Sequence, residues 1–468
     1  MKFVNVLFVV LLYCTHLSAQ VTLPNNLYFT HIGVEDGLCQ NTVCCILQDH
    51  LGFIWLGTKD GLTRYDGYRF RVFKHDAADP MSIGNNFIRV LYEDADGLIW
   101  IGTNVGVYIY NPETENFRKF DVATERGDVI SREVSSIKCD SSGDLWIGVN
   151  WQGVFRYDRR DESLELYEPV PGDTTSLSSV HVWDLCFDGD GNLWVGSQNG
   201  GLDRYDRETD RFVRHRLKGL SDVSRIVLDK QNQLLLGTMK DGLFSFNPYM
   251  GTCQPLLLDS GHKDLFVRAI FVRNSREVVV GTENGIYIYD CVTRKTRHVN
   301  QELGNPYSLS CKAVYSIYCD KEGALWIGTY FGGVNYLPPS SSLIFDKFYP
   351  IGHSDRLSGK AVREFVRDES GIIWIGTEDQ GLNRFDPVSG KFTHYNSRNS
   401  GLSCDNVHGL CVDGDRLYIG TFFGGFNIMD LKTNEIVALG SQMLPDDSVF
   451  SIFRDHDGRI WVGLTYGL

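Results

Sequence analysis

The most regular feature of the sequence is an apolar segment that ends in glycine and returns ten times. The ten copies are Trp55-Leu56-Gly57, Trp100-Ile101-Gly102, Trp146-Ile147-Gly148, Trp194-Val195-Gly196, Leu235-Leu236-Gly237, Val279-Val280-Gly281, Trp326-Ile327-Gly328, Trp374-Ile375-Gly376, Tyr418-Ile419-Gly420 and Trp461-Val462-Gly463. The intervals average about 45 residues, and seven of the nine tryptophans occupy the first position of the segment. A fixed period of this length indicates a repeat architecture.

Each repeat divides into four short strand patterns that turn residues separate. In the third repeat, apolar alternation at Val134 and Ile137 leads into the turn Asp140–Gly143, and the tryptophan strand follows it. A third strand ends at Tyr157-Asp158, and a fourth completes the repeat. Aspartate caps such a turn, and glycine accepts its positive φ. Four antiparallel strands in each repeat predict a β-propeller blade, with the tryptophan filling the wedge between neighbouring blades.

Ten repeats exceed the four to eight blades of a typical propeller, and two features divide them. Residues 27–32 resemble a fourth strand without its first three, which could pair with the last blade and close a ring. The run Pro338–Ser342 is the strongest linker signal, and a second isolated strand pattern, residues 344–349, follows it. We therefore predict an all-β chain with a seven-bladed β-propeller at residues 26–337 and a linker at residues 338–342. Residues 343–468 are expected to form the first three units of an incomplete second propeller, so that the chain would be the N-terminal piece of a longer protein.

The first nineteen residues resemble an export signal. Lys2 supplies a positive charge, an apolar stretch runs from Val6 to Tyr13, and Leu17-Ser18-Ala19 resembles a cleavage site. A signal peptide at residues 1–19 is predicted, with an uncleaved anchor as the alternative. The net charge of −14, without a basic run, argues against nucleic acid or an anionic membrane surface as a partner.

The twelve cysteines could form disulfides in an exported protein, but their spacing favours another interpretation. Cys139, Cys186, Cys319 and Cys411 each end an apolar strand pattern just before an aspartate. This position is typical of a small residue packed in a repeat core, so we favour free thiols over a disulfide framework.

No sequence motif for catalysis is legible, and we predict no catalytic residue, no cofactor and no metal. The segment from Asp188 to Asn192 resembles the start of a calcium loop, but it lacks the later ligands and occupies the repeated turn. A binding role is better supported than an enzymatic one.

The loops between the second and third strands lie on the same face as the start of the first strand, where ligands of propellers usually bind. Several of these loops carry aromatic, amide or carboxylate side chains, which suit stacking on a sugar ring and bonding to its hydroxyls. The candidate ligand-binding residues are Asn150, Trp151, Gln152, Tyr330, Phe331, Glu378, Asp379, Phe422 and Phe423. The alternative for each aromatic ring is packing beneath a neighbouring loop. Trp183, within an inner-strand pattern, is expected in the core.

The string Asp-x-x-Gly-x-(Ile/Leu)-Trp-(Ile/Val)-Gly-Thr, with Gly37-Leu38-Cys39-Gln40-Asn41 as lead-in, resembles the two-component regulator propeller repeat. The resemblance covers residues 26–468 and is similar to the periplasmic sensor region of hybrid two-component systems in gut Bacteroidetes. It implies a periplasmic region, in a protein anchored in the inner membrane, that senses glycan-derived oligosaccharides and controls polysaccharide-utilisation genes. It also implies a homodimer formed through a further ectodomain and a histidine kinase. It assigns no binding residue, because these repeats share no ligand-site motif.

Two other functions remain open at this point. The propellers could serve as a scaffold for receptor dimerisation or protein interaction without a small-molecule site. A propeller lyase or glycosidase is the third alternative, although no acid–base pair can be identified in the sequence.

Overall fold

The computed structural model describes residues 22–24, 26–217, 220, 222–256, 265–339, 347–348, 350, 356–439 and 444–467. The predicted signal peptide at residues 1–19 lies outside them, as do most residues of the predicted linker and of the second isolated strand. The chain divides into two compact units, one ending at Ile344 and the other beginning at Phe345.

The first unit contains seven four-stranded antiparallel sheets, numbered here as blades 1 to 7. A short 3-10 helix, Val34–Asp36, precedes blade 1. In order from first to fourth strand, the blades are Val43–Gln48, Ile54–Thr58, Gly61–Tyr65, Phe70–Phe73; Ile88–Glu93, Ile99–Thr103, Gly106–Asn111, Asn116–Lys119; Val134–Cys139, Leu145–Val149, Gly153–Asp158, Ser163–Tyr167; Val182–Phe187, Leu193–Ser197, Gly201–Asp206, Arg211–His215; Arg225–Leu228, Leu234–Gly237, Leu243–Asn247, Thr252–Leu256; Val267–Val272, Glu277–Thr282, Gly285–Asp290, Thr296–Val299; and Val314–Cys319, Leu325–Thr329, Val334–Leu337, Thr30–Ile32.

The seven blades form a closed ring around a central channel. The first strand of each blade contacts the first strands of the blades before and after it, and that of blade 7 contacts that of blade 1. The fourth strand of blade 7 comes from the N-terminal part of the chain, where Thr30 pairs with Tyr336 and Ile32 with Val334. The first strands therefore line the channel.

The turn before each tryptophan strand is held by one aspartate. In blade 1, Asp49 Oδ2 accepts a hydrogen bond of 2.7 Å from the indole N–H of Trp55, and Asp49 Oδ1 accepts one of 2.9 Å from the Phe53 amide. Asp188, in the segment that resembles a calcium loop, binds the Trp194 indole at 2.8 Å and the Asn192 amide at 2.9 Å. Its carboxylate thus has a structural role in this turn.

Each tryptophan packs against the next blade. Trp55 of blade 1 lies in one apolar cluster with Ile88 and Tyr110 of blade 2. Trp326 of blade 7 clusters with Val43 and Leu56 of blade 1, which completes the ring of contacts. The apolar core of the unit is therefore a series of layers between blades, as the sequence predicts.

The second unit contains two four-stranded antiparallel sheets and a two-stranded one. Their strands are Val362–Arg367, Ile373–Thr377, Leu382–Asp386, Lys391–Tyr395; Val407–Asp413, Arg416–Thr421, Gly425–Asp430, Ile436–Ala438; and Val449–Arg454, Ile460–Leu464. Trp374 of the first sheet packs against Val407 and Leu417 of the second, as in the first unit. The division into one propeller and the start of another stays a prediction.

The predicted all-β propeller class is confirmed. Among the residues that the structure describes, no helix is long and apolar enough to cross a membrane. The eleven cysteines within this part of the chain are free thiols. Cys186 is buried and the others are half-buried, so most of them border the core.

Candidate functional site

The starting end of the inner strands carries a repeated irregularity. In blade 1 the register shifts between Val43 and Cys45, and in blade 2 between Ile88 and Val90, so that one residue lies opposite no partner. Such a β-bulge changes the direction in which a side chain points. In the first unit, the residues skipped by these shifts are Cys44, Arg89, Ser135, Trp183, Arg268 and Tyr315. They lie where the loops between second and third strands also lie.

Aromatic and cationic side chains meet at this end of the channel. We call the set formed by Lys59, Phe87, Arg89, Trp183, Arg225, Phe266, Arg268, Tyr315 and Tyr330 the channel mouth. All nine residues are half-buried. They come from blades 1, 2, 4, 5, 6 and 7 or from the loops beside them, so the site exists only in the closed ring.

Lys59 joins the two sides of the channel mouth. Its Nζ lies 4.1 Å from the ring centre of Tyr330 and 5.7 Å from that of Phe87, and it donates a 3.0 Å hydrogen bond to the Tyr330 hydroxyl. Tyr330 in turn stacks on Tyr315, with ring centres 5.1 Å apart. The two tyrosines form an aromatic platform beside a cation.

Arg268 continues this arrangement on the other side of Tyr315. Its guanidinium lies 4.5 Å from the ring centre of Tyr315 and 3.9 Å from that of Phe266. Phe266 also makes an edge contact with Trp183, at 6.4 Å. The buried indole N–H of Trp183 donates to no residue that the structure describes, so a polar group is available at this position.

Two carboxylates partly balance the positive charge. Glu283 binds Arg268 at 2.5 Å, and Glu133 binds Arg89 at 3.1 Å. Arg89 also donates a 2.7 Å hydrogen bond to Asn104 Oδ1. These contacts hold both guanidinium groups at defined positions.

Arg225 is enclosed beneath the same end of the channel. It donates hydrogen bonds to two backbone carbonyls, that of Arg268 at 2.7 Å and that of Ser224 at 2.8 Å. Burial lowers the pKa of Arg225, the charge of Asp184 opposes that shift, and the charges of Arg268 and Arg89 add to it. An arginine remains charged despite such a shift.

The electrostatic surroundings of Cys44 indicate that the four cations of the channel mouth lie near one another. Burial raises the pKa of its thiol to about 11, although the positive charges of Arg89, Lys59, Arg268 and Arg225 each lower it. The thiol is therefore protonated at neutral pH and is a poor nucleophile.

Of the residues predicted from the sequence, Tyr330 belongs to the channel mouth. Phe331 packs against the Tyr330 ring with centres 4.3 Å apart, but its own side chain is 70 % exposed. The Tyr330 ring thus contacts both the exposed Phe331 ring and the charged Lys59 ammonium group.

Asn150, Trp151 and Gln152 lie in the corresponding loop of blade 3. The Trp151 ring is 66 % exposed and makes an edge contact with His181 at 4.1 Å, while Asn150 Oδ1 lies 3.2 Å from His181 Nδ1. The Gln152 amide instead holds its own surroundings, since it accepts from the Ser131 amide at 3.0 Å and donates to a backbone carbonyl at 3.0 Å. Trp151 remains available for a ligand, whereas Asn150 is engaged with His181 and Gln152 is largely occupied.

In the second unit, the predicted residue Phe422 lies beside His408. Phe422 stacks on His408 at 5.4 Å and contacts Phe423 at 4.1 Å. Glu378 forms an ion pair with Arg363. Burial lowers the pKa of His408, as does the charge of Arg363, and the charge of Glu378 opposes them.

Asp379 is exposed beside Glu378 in the same loop. No group of three or more His, Cys, Asp or Glu side chains in the described ranges could hold a metal ion.

The sequence did not reveal Arg89, Arg225 and Arg268. Trp183, expected in the core, is only half-buried because the bulge turns it towards the channel. For Arg89 and Arg268, the available signal was the position after the first valine or isoleucine of the inner strand, which varies between blades; Arg225 does not occupy that position.

The fold and the repeated turns define a β-propeller. Five segments, residues 37–60, 82–105, 176–199, 308–331 and 443–466, match the family described as Two component regulator propeller. The chain therefore carries two component regulator propeller repeats.

The chain is also similar to solved structures. The extracellular domain of the putative hybrid two component system BT3049 from B. thetaiotaomicron aligns with a TM-score of 0.68 and 23 % identity, over 94 % of this chain and 70 % of that one. The extracellular domain of BT4673 from the same organism aligns with a TM-score of 0.58 and 20 % identity, over 94 % of this chain and 64 % of that one. At these identities the likeness concerns the fold.

A curated relative is similar over a short segment. Histidine kinase P4 of Formosa agariphila is 39 % identical over 59 residues, which are 13 % of this chain and 4 % of that protein. The match thus spans a very small part of the relative's length.

Proposed function

We propose that this chain is the periplasmic ligand-sensing region of a hybrid two-component regulator that responds to glycan-derived oligosaccharides. The observation that carries the proposal is the aromatic platform of the channel mouth, where Tyr315 and Tyr330 stack beside Lys59. Aromatic faces pack against the C–H faces of sugars, and nearby polar groups bond to hydroxyls. The repeats, and the fold shared with extracellular domains of putative hybrid systems, support a regulatory context.

A binding role agrees with the chemistry of the channel mouth. Cys44 is protonated at neutral pH, and each carboxylate paired there, Glu133 and Glu283, is engaged by an arginine. The two carboxylates therefore position the arginine side chains of the site. Ligand binding in this region would then control polysaccharide-utilisation genes through a histidine kinase.

A glycan array with the purified chain tests the proposal. We expect binding to at least one class of oligosaccharide, and Tyr330→Leu should weaken it about tenfold or more by removing an aromatic ring of the channel mouth. Phe453→Leu is the matched control, because Phe453 is an exposed ring in the two-stranded sheet of the second unit. Binding that Phe453→Leu alters as much as Tyr330→Leu would contradict the assignment to the channel mouth.

Two results would contradict sensing of oligosaccharides. One is the absence of binding to any oligosaccharide together with binding of a peptide. The other is self-association in sedimentation that no sugar changes, which would support a scaffold for dimerisation instead.

A further inference from the structure

The channel mouth holds more positive charge than its carboxylates balance. Arg89 and Arg268 each have a carboxylate within 4 Å. Lys59 and Arg225 have none among the residues that the structure describes. This local excess lies in a chain whose net charge is −14, so it does not reflect the overall composition.

Arg225 is one of the two cations without a carboxylate within 4 Å. Its guanidinium offers five N–H donors, and its contacts within the described chain are the two backbone carbonyls of Arg268 and Ser224. The nearby carboxylate of Asp184 is already engaged, since it accepts from Ser136 Oγ at 3.0 Å and from the Ile226 amide at 3.0 Å. An enclosed guanidinium without a direct ion pair is costly even with the charge of Asp184 nearby, and a bound anion would reduce that cost.

Lys59 places a second charge beside the aromatic platform. Its ammonium group lies 4.1 Å from the ring centre of Tyr330, and within the described residues it donates a hydrogen bond to the neutral Tyr330 hydroxyl. An ammonium group has three donors, so two remain for a ligand. An aromatic side chain and a cation with free donors therefore meet at one position.

We propose that the channel mouth binds a negatively charged sugar, whose carboxylate or sulfate ester is bonded by Arg225 and Lys59 and whose ring lies beside Tyr330. This inference rests on the proposed function and adds the class of its ligand. Charge-assisted hydrogen bonds to a guanidinium are well suited to both anions. A neutral sugar would leave both cations without a direct ion pair.

Isothermal titration of the purified chain with matched pairs of sugars tests the inference. The pairs are trigalacturonic acid beside its methyl ester, which distinguishes carboxylate recognition, and 6′-sulfated lactose beside lactose, which distinguishes sulfate recognition. We expect an acidic member to bind at least about tenfold more tightly than its neutral partner, because hydrogen bonds to charged groups are the stronger ones. Raising the ionic strength should weaken that binding.

Two variants and one control locate the site. Arg225→Gln and Lys59→Met should each weaken binding of the acidic sugar about tenfold and leave its neutral partner unchanged. Arg71→Gln removes the same charge from the fourth strand of blade 1, where Arg71 pairs with Glu115, and should change neither. Because Lys59 lies in a loop, Lys59→Met keeps the test valid if Arg225→Gln fails to fold.

The outcomes separate this inference from the proposed function. Equal binding of acidic and neutral sugars, or binding of the acidic sugar that neither variant alters, would overturn the inference and leave oligosaccharide sensing intact. Failure of every sugar to bind, acidic or neutral, would overturn both.

Discussion

The same tryptophan motif is buried in blade 3 and half-exposed in the two-stranded sheet of the second unit. Trp146 of blade 3 and Trp461 of the two-stranded sheet both donate their indole N–H to the aspartate six residues earlier, at 3.1 Å and 2.9 Å. The Trp146 side chain is 1 % exposed, whereas that of Trp461 is 46 % exposed. The difference arises because Trp146 packs in one cluster with blade 4, including Leu177 and Tyr205.

This comparison separates two kinds of stabilisation. The hydrogen bond from aspartate to tryptophan forms within one repeat, whereas burial of the ring needs the repeat that follows. Repeat proteins in general combine a stability intrinsic to each repeat with a term from each interface. In the closed first unit every blade has a neighbour on both sides, because blade 7 packs against blade 1.

The largest expected effect is on the stability that comes from packing between neighbouring repeats. Trp146→Ala should lower the free energy of unfolding of the first unit by about 3–5 kcal/mol, because it leaves a large cavity between blades 3 and 4. Trp461→Ala should cost about 1 kcal/mol or less, since its ring is half-exposed. Urea unfolding of both variants checks this, and equal losses would break the distinction between intrinsic and interface stability.

A pH-dependent difference follows from one buried carboxyl. Asp203 in blade 4 accepts a 2.9 Å hydrogen bond from the Ser178 amide, and Asn383 and Asn427 of the second unit accept the equivalent bonds. Burial raises the pKa of Asp203 to about 6, although the bonds from Ser178 lower it. The folded state therefore binds a proton more tightly than the unfolded chain, whose aspartate pKa is about 3.9.

The stability of the first unit should consequently fall as the pH rises from about 4 to 6. Asp203→Asn should flatten this fall and raise the free energy of unfolding at pH 7 by roughly 2–3 kcal/mol. Unfolding curves measured across this pH range test it. A variant that keeps the wild-type pH dependence would show that another group is responsible.

The turn aspartates should differ between the units by a smaller amount. Asp49→Ala leaves the buried indole N–H of Trp55 without its acceptor and should cost about 1–3 kcal/mol. Asp455→Ala removes the equivalent bond to Trp461, but there water can replace the aspartate, so the shift should be smaller. A loss for Asp455→Ala as large as that for Asp49→Ala, by urea unfolding, would contradict this.

The smallest expected effects are at two exposed rings, one in each unit. Trp151 and Phe423 occupy equivalent loops with φ of 70° and 69°, a region that favours glycine. Trp151→Gly and Phe423→Gly should change the free energy of unfolding by no more than about 1 kcal/mol, since lost contacts and relieved strain offset each other. A larger loss in thermal unfolding would assign these rings to packing.

Much of the architecture could be predicted because its causes are local to each repeat. The aspartate turn, the tryptophan strand and the glycine after it recur with little change, and each determines a hydrogen bond or a packing contact. The channel mouth could not be predicted in this way. Its cations come from separate blades, and the β-bulges break the strict alternation by which strand residues are assigned to a face. Trp183 was therefore expected in the core.

The predicted ligand residues show the same limit. Tyr330 could be found because an aromatic ring in a polar loop is unusual. Arg225 and Arg268 lie in strand patterns, where a single arginine does not indicate a binding site. Gln152 was included for its residue type, but its amide bonds to Ser131 and Arg132, which only the folded loop shows.

The fourth strand of blade 7 is synthesised long before the strand with which it pairs. Thr30–Ile32 leaves the ribosome first among the described strands, yet its partner Val334–Leu337 follows some 300 residues later. At about 5–20 residues per second, roughly 15 to 60 seconds separate the two. During that interval this strand has no place in the sheet that it will complete, and the channel has no closed rim. The earliest of the described strands to be synthesised is thus among the last to pair in a sheet.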